Sequence, residues 1–166
     1  MAIATATTRI RATEDTSVLP PSPIVPLFAA MLAAFAEFIA RERDIAGVDV
    51  WDPAFRGWLA AAEAAQDRLT DLQNALQATP VAHPADWPLK RATFLLQATL
   101  GADRPEEVAQ LRRAARQNAS SFLRDDGTQA SQQARQMLAR AQALHEDFLA
   151  LDLLGQGSDA DLSPGL

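Results

Sequence analysis

Two long stretches of the chain place apolar or small residues at alternating steps of three and four. This is the spacing of a helix that packs along one face. The first stretch has these positions at Phe55, Trp58, Ala62, Ala65, Leu69, Leu72 and Leu76. The second has them at Ala130, Ala134, Met137, Ala141, Leu144, Phe148 and Leu151. Alanine within both seams allows close helix approach, and no stretch shows the alternation typical of a β-strand. The sequence therefore predicts an all-α fold.

Helix-terminating residues divide the chain into five predicted helices, over residues 23–46, 53–79, 86–100, 105–124 and 128–154. Asp52 is the expected N-cap of the second helix, with Pro53 at its first position. Gly101 separates the third helix from the fourth, and Asp103 and Glu106 form a capping-box variant at the start of the fourth.

These boundaries predict an up-and-down bundle of about five helices, in which three are long and two form a short hairpin pair. We expect a single domain over residues 23–154. It is preceded by a flexible arm, rich in threonine, alanine and charged residues, over residues 1–22, and followed by a polar tail over 155–166.

The first helix is apolar enough to resemble a membrane span, since residues 24–40 are nearly all apolar. Its large side chains, however, share one helical face. They are Phe28, Met31, Leu32, Phe35, Phe38 and Ile39. A helix with one bulky face and one alanine-rich face is typical of a bundle core, so we expect a buried helix and no membrane span. The three tryptophans (Trp51, Trp58 and Trp87) flank helix starts or the seam, and we expect them to pack in the core or in a lid over it, the alternative being a ligand site.

Composition excludes several classes of protein. There is no cysteine, which excludes disulfides and thiolate chemistry. The net charge of -6 disfavours nucleic-acid binding. No apolar signal-peptide core follows the N-terminus, so we expect a cytoplasmic protein.

Chemical motifs are equally sparse. The two histidines, His83 and His145, belong to no Glu-x-x-His or His-x-x-x-His pattern, and the 7 glycines form no phosphate-binding loop. The sequence therefore predicts no metal site, no cofactor and no catalytic residues.

The densest cluster of positive charge is formed by Arg112, Arg113 and Arg116. Arginine side chains bind carboxylate and phosphate groups, so one hypothesis is an anion site at these residues, with His145 transferring protons. The alternative is an exposed face that pairs with the acidic end of the fifth helix, or with a carboxylate ridge on the second helix. On this alternative His145 lies at the edge of the bundle with one nitrogen in water. The ridge consists of Glu63, Asp67 and Asp71.

The end of the fifth helix is apolar over more than one stripe. Its residues are Phe148, Leu149, Leu151, Leu153 and Leu154. Such a helix needs cover on several sides, either from the first helix and the N-terminal arm or from another subunit. We therefore predict that these residues contribute to an interface between subunits.

These observations favour a non-catalytic helical bundle that acts through self-association or through docking to a protein partner. One alternative is a bundle that binds an anionic small molecule at the arginine cluster, or an enzyme with an unfamiliar site. A second is an amphipathic coat protein on a lipid or polymer surface.

Overall fold

The computed structural model describes residues 22–46, 48–49, 51–121 and 128–156, apart from the side chains of 119–121 and 152–156. This part of the chain is all-α and contains no strand. Its helices are α1 (Ile24–Ala46), α2 (Phe55–Ala78), α3 (Asp86–Leu100), α4 (Pro105–Ser121) and α5 (Gln129–Gln156). The predicted all-α fold is confirmed. Most of the predicted arm and tail lies outside the described residues.

Helix α1 is the centre of the core and packs against α2, α3 and α5. All six large side chains of its predicted face are buried, and Ile24 and Ala34 join them. Full burial of one large apolar side chain contributes about 1.5–3 kcal/mol, so this face is a main source of stability. By length and composition alone α1 could also cross a membrane, but here its bulky face forms the core of the bundle.

Helix α2 lies beside α1 and buries only part of its predicted seam. Ala62, Ala65, Leu69 and Leu76 are buried. Nearer the start of the helix, Trp58 is 39% exposed, so the seam is uncovered at that end.

A turn over residues 51–54 precedes α2, and the predicted N-cap is wrong for this reason. Asp52 Oδ1 accepts the N–H of Ala54 at 2.8 Å, and the Asp52 carbonyl accepts the N–H of Phe55 at 2.9 Å. The Asp52 side chain therefore closes the turn before the helix and does not cap the helix itself.

Helix α3 has the predicted bounds, but it buries the face opposite to the one predicted. Its buried residues are Asp86, Leu89, Thr93, Leu96 and Thr99. The predicted inner face included Trp87 and Phe94, which are 60% and 61% exposed. The threonines can be buried because their hydroxyls donate to backbone carbonyls one turn earlier, Thr93 to Leu89 and Thr99 to Leu95.

The expected core packing of the tryptophans is likewise wrong. Trp51 is 87% exposed, and Trp58 and Trp87 are also exposed.

A buried carboxylate joins the start of α3 to the start of α1. Asp86 is 1% exposed, and its Oδ1 accepts the hydroxyl of Ser22 at 2.6 Å. Its Oδ2 accepts the backbone N–H groups of Ala82 and His83 at 3.0 and 2.8 Å. Ser22 Oγ also accepts the N–H of Ile24 at 3.2 Å, which caps α1. The proline-rich connector after α2 is thereby held against the bundle.

The single lysine of the chain joins α2 to α3. Lys90 Nζ donates to the carbonyl oxygens of Gln77 at 2.9 Å and of Thr79 at 2.6 Å. Carbonyl groups at a helix C-terminus lack partners within the helix, and a cation there also interacts favourably with the helix dipole.

Among the helices of the described residues, α4 packs on α3 and α5. Helix α5 buries Ala134, Leu138, Ala141, His145 and Leu149. Two positions of its predicted seam, Ala134 and Ala141, are among them. The rest of the seam is at the edge of this buried stripe, with Ala130 exposed and Met137, Leu144, Phe148 and Leu151 half-buried.

Candidate functional site

The arginine cluster lies where α4 crosses the C-terminal half of α5. Arg116 donates from Nε and Nη2 to Oε1 of Glu146, at 3.0 and 2.9 Å. Arg112 donates from Nη2 to Oε2 of the same carboxylate. Of the two pairings considered for these arginines, the structure shows the one with the acidic end of α5. The carboxylate ridge on α2 is exposed.

The Glu146 carboxylate is held in its ionised form. Partial burial raises the pKa of Glu146, but the hydrogen bonds and positive charges of Arg112 and Arg116 outweigh this effect and leave the pKa below its ordinary value. One carboxylate therefore faces two guanidinium groups, and this part of the surface keeps a positive excess.

His145, the neighbour of Glu146, is buried between helices. Its side chain is 2% exposed, and its Nε2 lies 3.1 Å from Oγ1 of Thr99. The Thr99 hydroxyl hydrogen is directed to the Leu95 carbonyl at 2.8 Å, so Nε2 carries the proton and donates to Thr99. The expectation of an edge histidine with one wet nitrogen is wrong, because α3 covers the ring.

Burial also sets the charge of His145. Loss of hydration lowers its pKa, the Glu146 charge raises it, and the Arg112 charge lowers it again, with a net decrease. At neutral pH the imidazole is therefore uncharged.

The predicted ligand residues line two different cavities. His145 borders a space of about 40 Å³ between α3, α4 and α5, among mostly apolar side chains. Arg112, Arg113 and Arg116 line a larger cavity of about 460 Å³, which runs from the turn before α4 to Leu149 of α5. His145 does not line the cavity of the arginines, and the arginines do not line the cavity of His145. In these two cavities, His145 and the three arginines are therefore apart.

The other residues that could carry chemistry are dispersed. His83 is half-buried in the connector before α3. Within the described ranges, no group of three or more histidine, aspartate or glutamate side chains could hold a metal ion.

The predicted interface residues of α5 lie partly inside the bundle. Leu149 is buried. Phe148 packs its ring against Phe35 and Phe38 of α1, with ring centroids 5.9 and 6.1 Å apart. Leu151 is half-buried against the same core. The side chains of Leu153 and Leu154 lie outside the described residues, and their role in an interface stays a prediction.

Two groups of exposed apolar side chains were missed by the sequence reasoning. The first, the α3 aromatic face, consists of Trp87 and Phe94. These residues are seven positions apart and so lie on the same side of the helix, about 10.5 Å apart along its axis. The second lies around the start of α2 and consists of Trp51, Trp58 and Leu59. The sequence offered one signal for this exposure. Thr93 and Thr99 can be buried because each hydroxyl bonds to its own helix, and they lie on the side of α3 opposite Trp87 and Phe94.

Comparison with known proteins adds no further assignment. No protein family, curated protein or solved structure matches the chain.

Proposed function

We propose that this chain is a non-catalytic helical bundle that acts through protein contacts, and that its α3 aromatic face binds a second copy of the chain. The observation that carries the proposal is the exposure of Trp87 and Phe94, at 60% and 61%. Large aromatic side chains are enriched at the centre of protein interfaces.

The size of this face supports a weak contact. With about 150–250 Å² for each aromatic side chain, the two exposed fractions amount to roughly 250 Å² per chain. A standard interface buries about 800 Å² per partner, so the aromatic pair would form its centre. Association costs about 4–15 kcal/mol, which favours a dimer that depends on concentration.

Charge disfavours a polyanionic partner. The chain has a net charge of -6, which repels nucleic acids and acidic surfaces.

Sedimentation velocity over a range of protein concentrations tests the proposal. We expect the wild type to shift from monomer to dimer as concentration rises, and the double variant Trp87→Ser/Phe94→Ser to remain monomeric. Trp51→Ser is the matched control, because it removes an exposed tryptophan outside the α3 aromatic face.

A wild type that is monomeric at every concentration contradicts self-association. If Trp51→Ser abolishes the dimer and the α3 double variant retains it, the contact lies at the start of α2. A monomeric wild type that captures a protein from lysate, with capture lost in the α3 double variant, assigns the face to docking of a different protein.

A further inference from the structure

The cavity of about 460 Å³ beside α4 combines guanidinium groups with an apolar wall. Its arginines are Arg104, Arg112, Arg113 and Arg116, and its apolar side chains include Val108 and Leu149. The volume lies within the range of roughly 300–1,000 Å³ that is typical of small-molecule sites. Convergent polar groups on an apolar wall are also typical of such sites.

The positive charge of the cavity exceeds the negative charge near it. Asp103 is the acid in the lining, and Glu146 pairs with Arg112 and Arg116. Arg104 approaches Glu107 at 4.0 Å, where both side chains are exposed. Arg113 forms no ion pair within the residues that the structure describes, and its side chain is exposed. An anion that enters the cavity therefore meets a guanidinium group that is not paired with any carboxylate of the described residues.

Part of the hydrogen-bonding capacity of the cluster is also unused. Arg112 Nε is buried and, in the described part of the chain, has no hydrogen-bond partner. A buried donor without an acceptor is rare in folded proteins and costs about 1–3 kcal/mol. Arg116 uses two of its N–H groups for Glu146, which leaves others of its five for a second acceptor.

The protein itself shows which anion fits this geometry. The two arginines one turn apart on α4 hold both oxygens of one carboxylate, that of Glu146. Arg113 and Arg116 are likewise one turn apart on α4, so a second carboxylate can bridge them, and Val108 and Leu149 add apolar side chains to the lining of the cavity.

We propose that this cavity binds a small organic carboxylate with an apolar chain, whose carboxylate pairs with Arg113 and Arg116 and whose chain lies against Val108 and Leu149. This site is independent of the α3 aromatic face, so the proposal does not depend on self-association.

Isothermal titration calorimetry with octanoate as the probe tests the proposal on the full chain. Acetate carries the same carboxylate without the chain, and octanol carries the chain without the charge. We expect octanoate to bind at least tenfold more tightly than either. Inorganic phosphate is titrated as a second anion. Equal affinity for phosphate and octanoate would overturn the assignment, because the cavity would then select for charge alone.

Variants place the site. Arg113→Gln is expected to weaken octanoate binding about tenfold, because a hydrogen bond to a charged group contributes roughly 1.5–3 kcal/mol and 1.4 kcal/mol corresponds to a factor of ten. The matched control is Arg140→Gln, which changes an exposed arginine on α5 outside this cavity. Val108→Ser is expected to reduce the difference in binding affinity between octanoate and acetate, because it removes apolar surface that the octanoate chain contacts. Undetectable octanoate binding, or equal affinity in Arg113→Gln and the wild type, overturns the proposal.

Discussion

The hydrogen bond between Ser22 and Asp86 offers a measurable test of how α1 is fixed to α3. Asp86→Ala removes an acceptor of three hydrogen bonds and leaves the N–H groups of Ala82 and His83 without it. A hydrogen bond to a charged group contributes about 1.5–3 kcal/mol. Three such bonds would give about 4.5–9 kcal/mol if they were additive. Because Ala82 is exposed and His83 half-buried, water can replace part of the loss, and we expect a destabilisation of about 3–5 kcal/mol.

Ser22→Ala is the matched variant, because it removes the donor of the same hydrogen bond. It removes one bond to Asp86 and the cap on the N–H of Ile24, with an expected loss of about 2–4 kcal/mol. The double variant Ser22→Ala/Asp86→Ala should then be more stable than the sum of the single losses predicts. The coupling energy should be about 1–2 kcal/mol, because the two changes remove one shared bond.

Urea unfolding followed by far-ultraviolet circular dichroism measures all four proteins of this cycle. The control is Asp67→Ala, which changes an exposed carboxylate on α2 and should alter the free energy of unfolding by less than about 0.5 kcal/mol. Two results refute the reasoning: a loss below about 1 kcal/mol for Asp86→Ala, or losses that add within about 0.5 kcal/mol in the double variant.

Three further predictions concern other parts of the bundle. Lys90→Met should lower the melting temperature by about 3–6 °C, because about 1–2 kcal/mol of charged hydrogen bonding at the end of α2 is lost. Lys90→Arg, which keeps a charged donor at this position, is the comparison, and equal melting temperatures for Lys90→Met and Lys90→Arg would contradict this. Since burial lowers the pKa of His145, the unfolded chain binds its proton more readily. Stability should therefore fall as pH drops below about 6.5, by at most about 1.4 kcal/mol per pH unit. His145→Gln should show a shallower decline in urea titrations over this range, and identical slopes would be inconsistent with a buried neutral ring. Phe148→Ala should cost about 2–4 kcal/mol through lost contacts with Phe35 and Phe38, with the sedimentation of the folded chain unchanged. A lost dimer with unaltered stability would instead place Phe148 at an interface.

The helices themselves could be predicted closely from sequence. Prolines and glycines stop helices through local backbone geometry, and α3 has its predicted bounds for this reason. The inner face of α1 was also predictable, because its large side chains share one stripe.

The orientation of α3 was not predictable from hydrophobicity. The apolar pattern favours Trp87 and Phe94 as the buried side, whereas the structure buries Thr93 and Thr99. A threonine can enter a core when its hydroxyl bonds to its own helix. Hydropathy takes no account of that internal bond.

The candidate site depended on contacts between distant segments. Glu146 is 34 residues from Arg112, and His145 is 46 residues from Thr99. Spacing along one helix indicates which side chains share a face, but it does not indicate which neighbouring helix supplies the partner. The pairing of the arginines and the burial of the histidine therefore follow from tertiary packing alone.

The exposure of the tryptophans determines how this protein can be observed. The chain has three tryptophans and no tyrosine, and Trp51, Trp58 and Trp87 all lie at the surface. Its intrinsic fluorescence therefore arises entirely outside the core. Unfolding will change the emission of Trp51 and Trp87 little, because both are already in contact with water, and a fluorescence melting curve will understate the transition. Burial of Trp87 under a partner will shift the emission to shorter wavelength, so the native chain carries an optical reporter of binding.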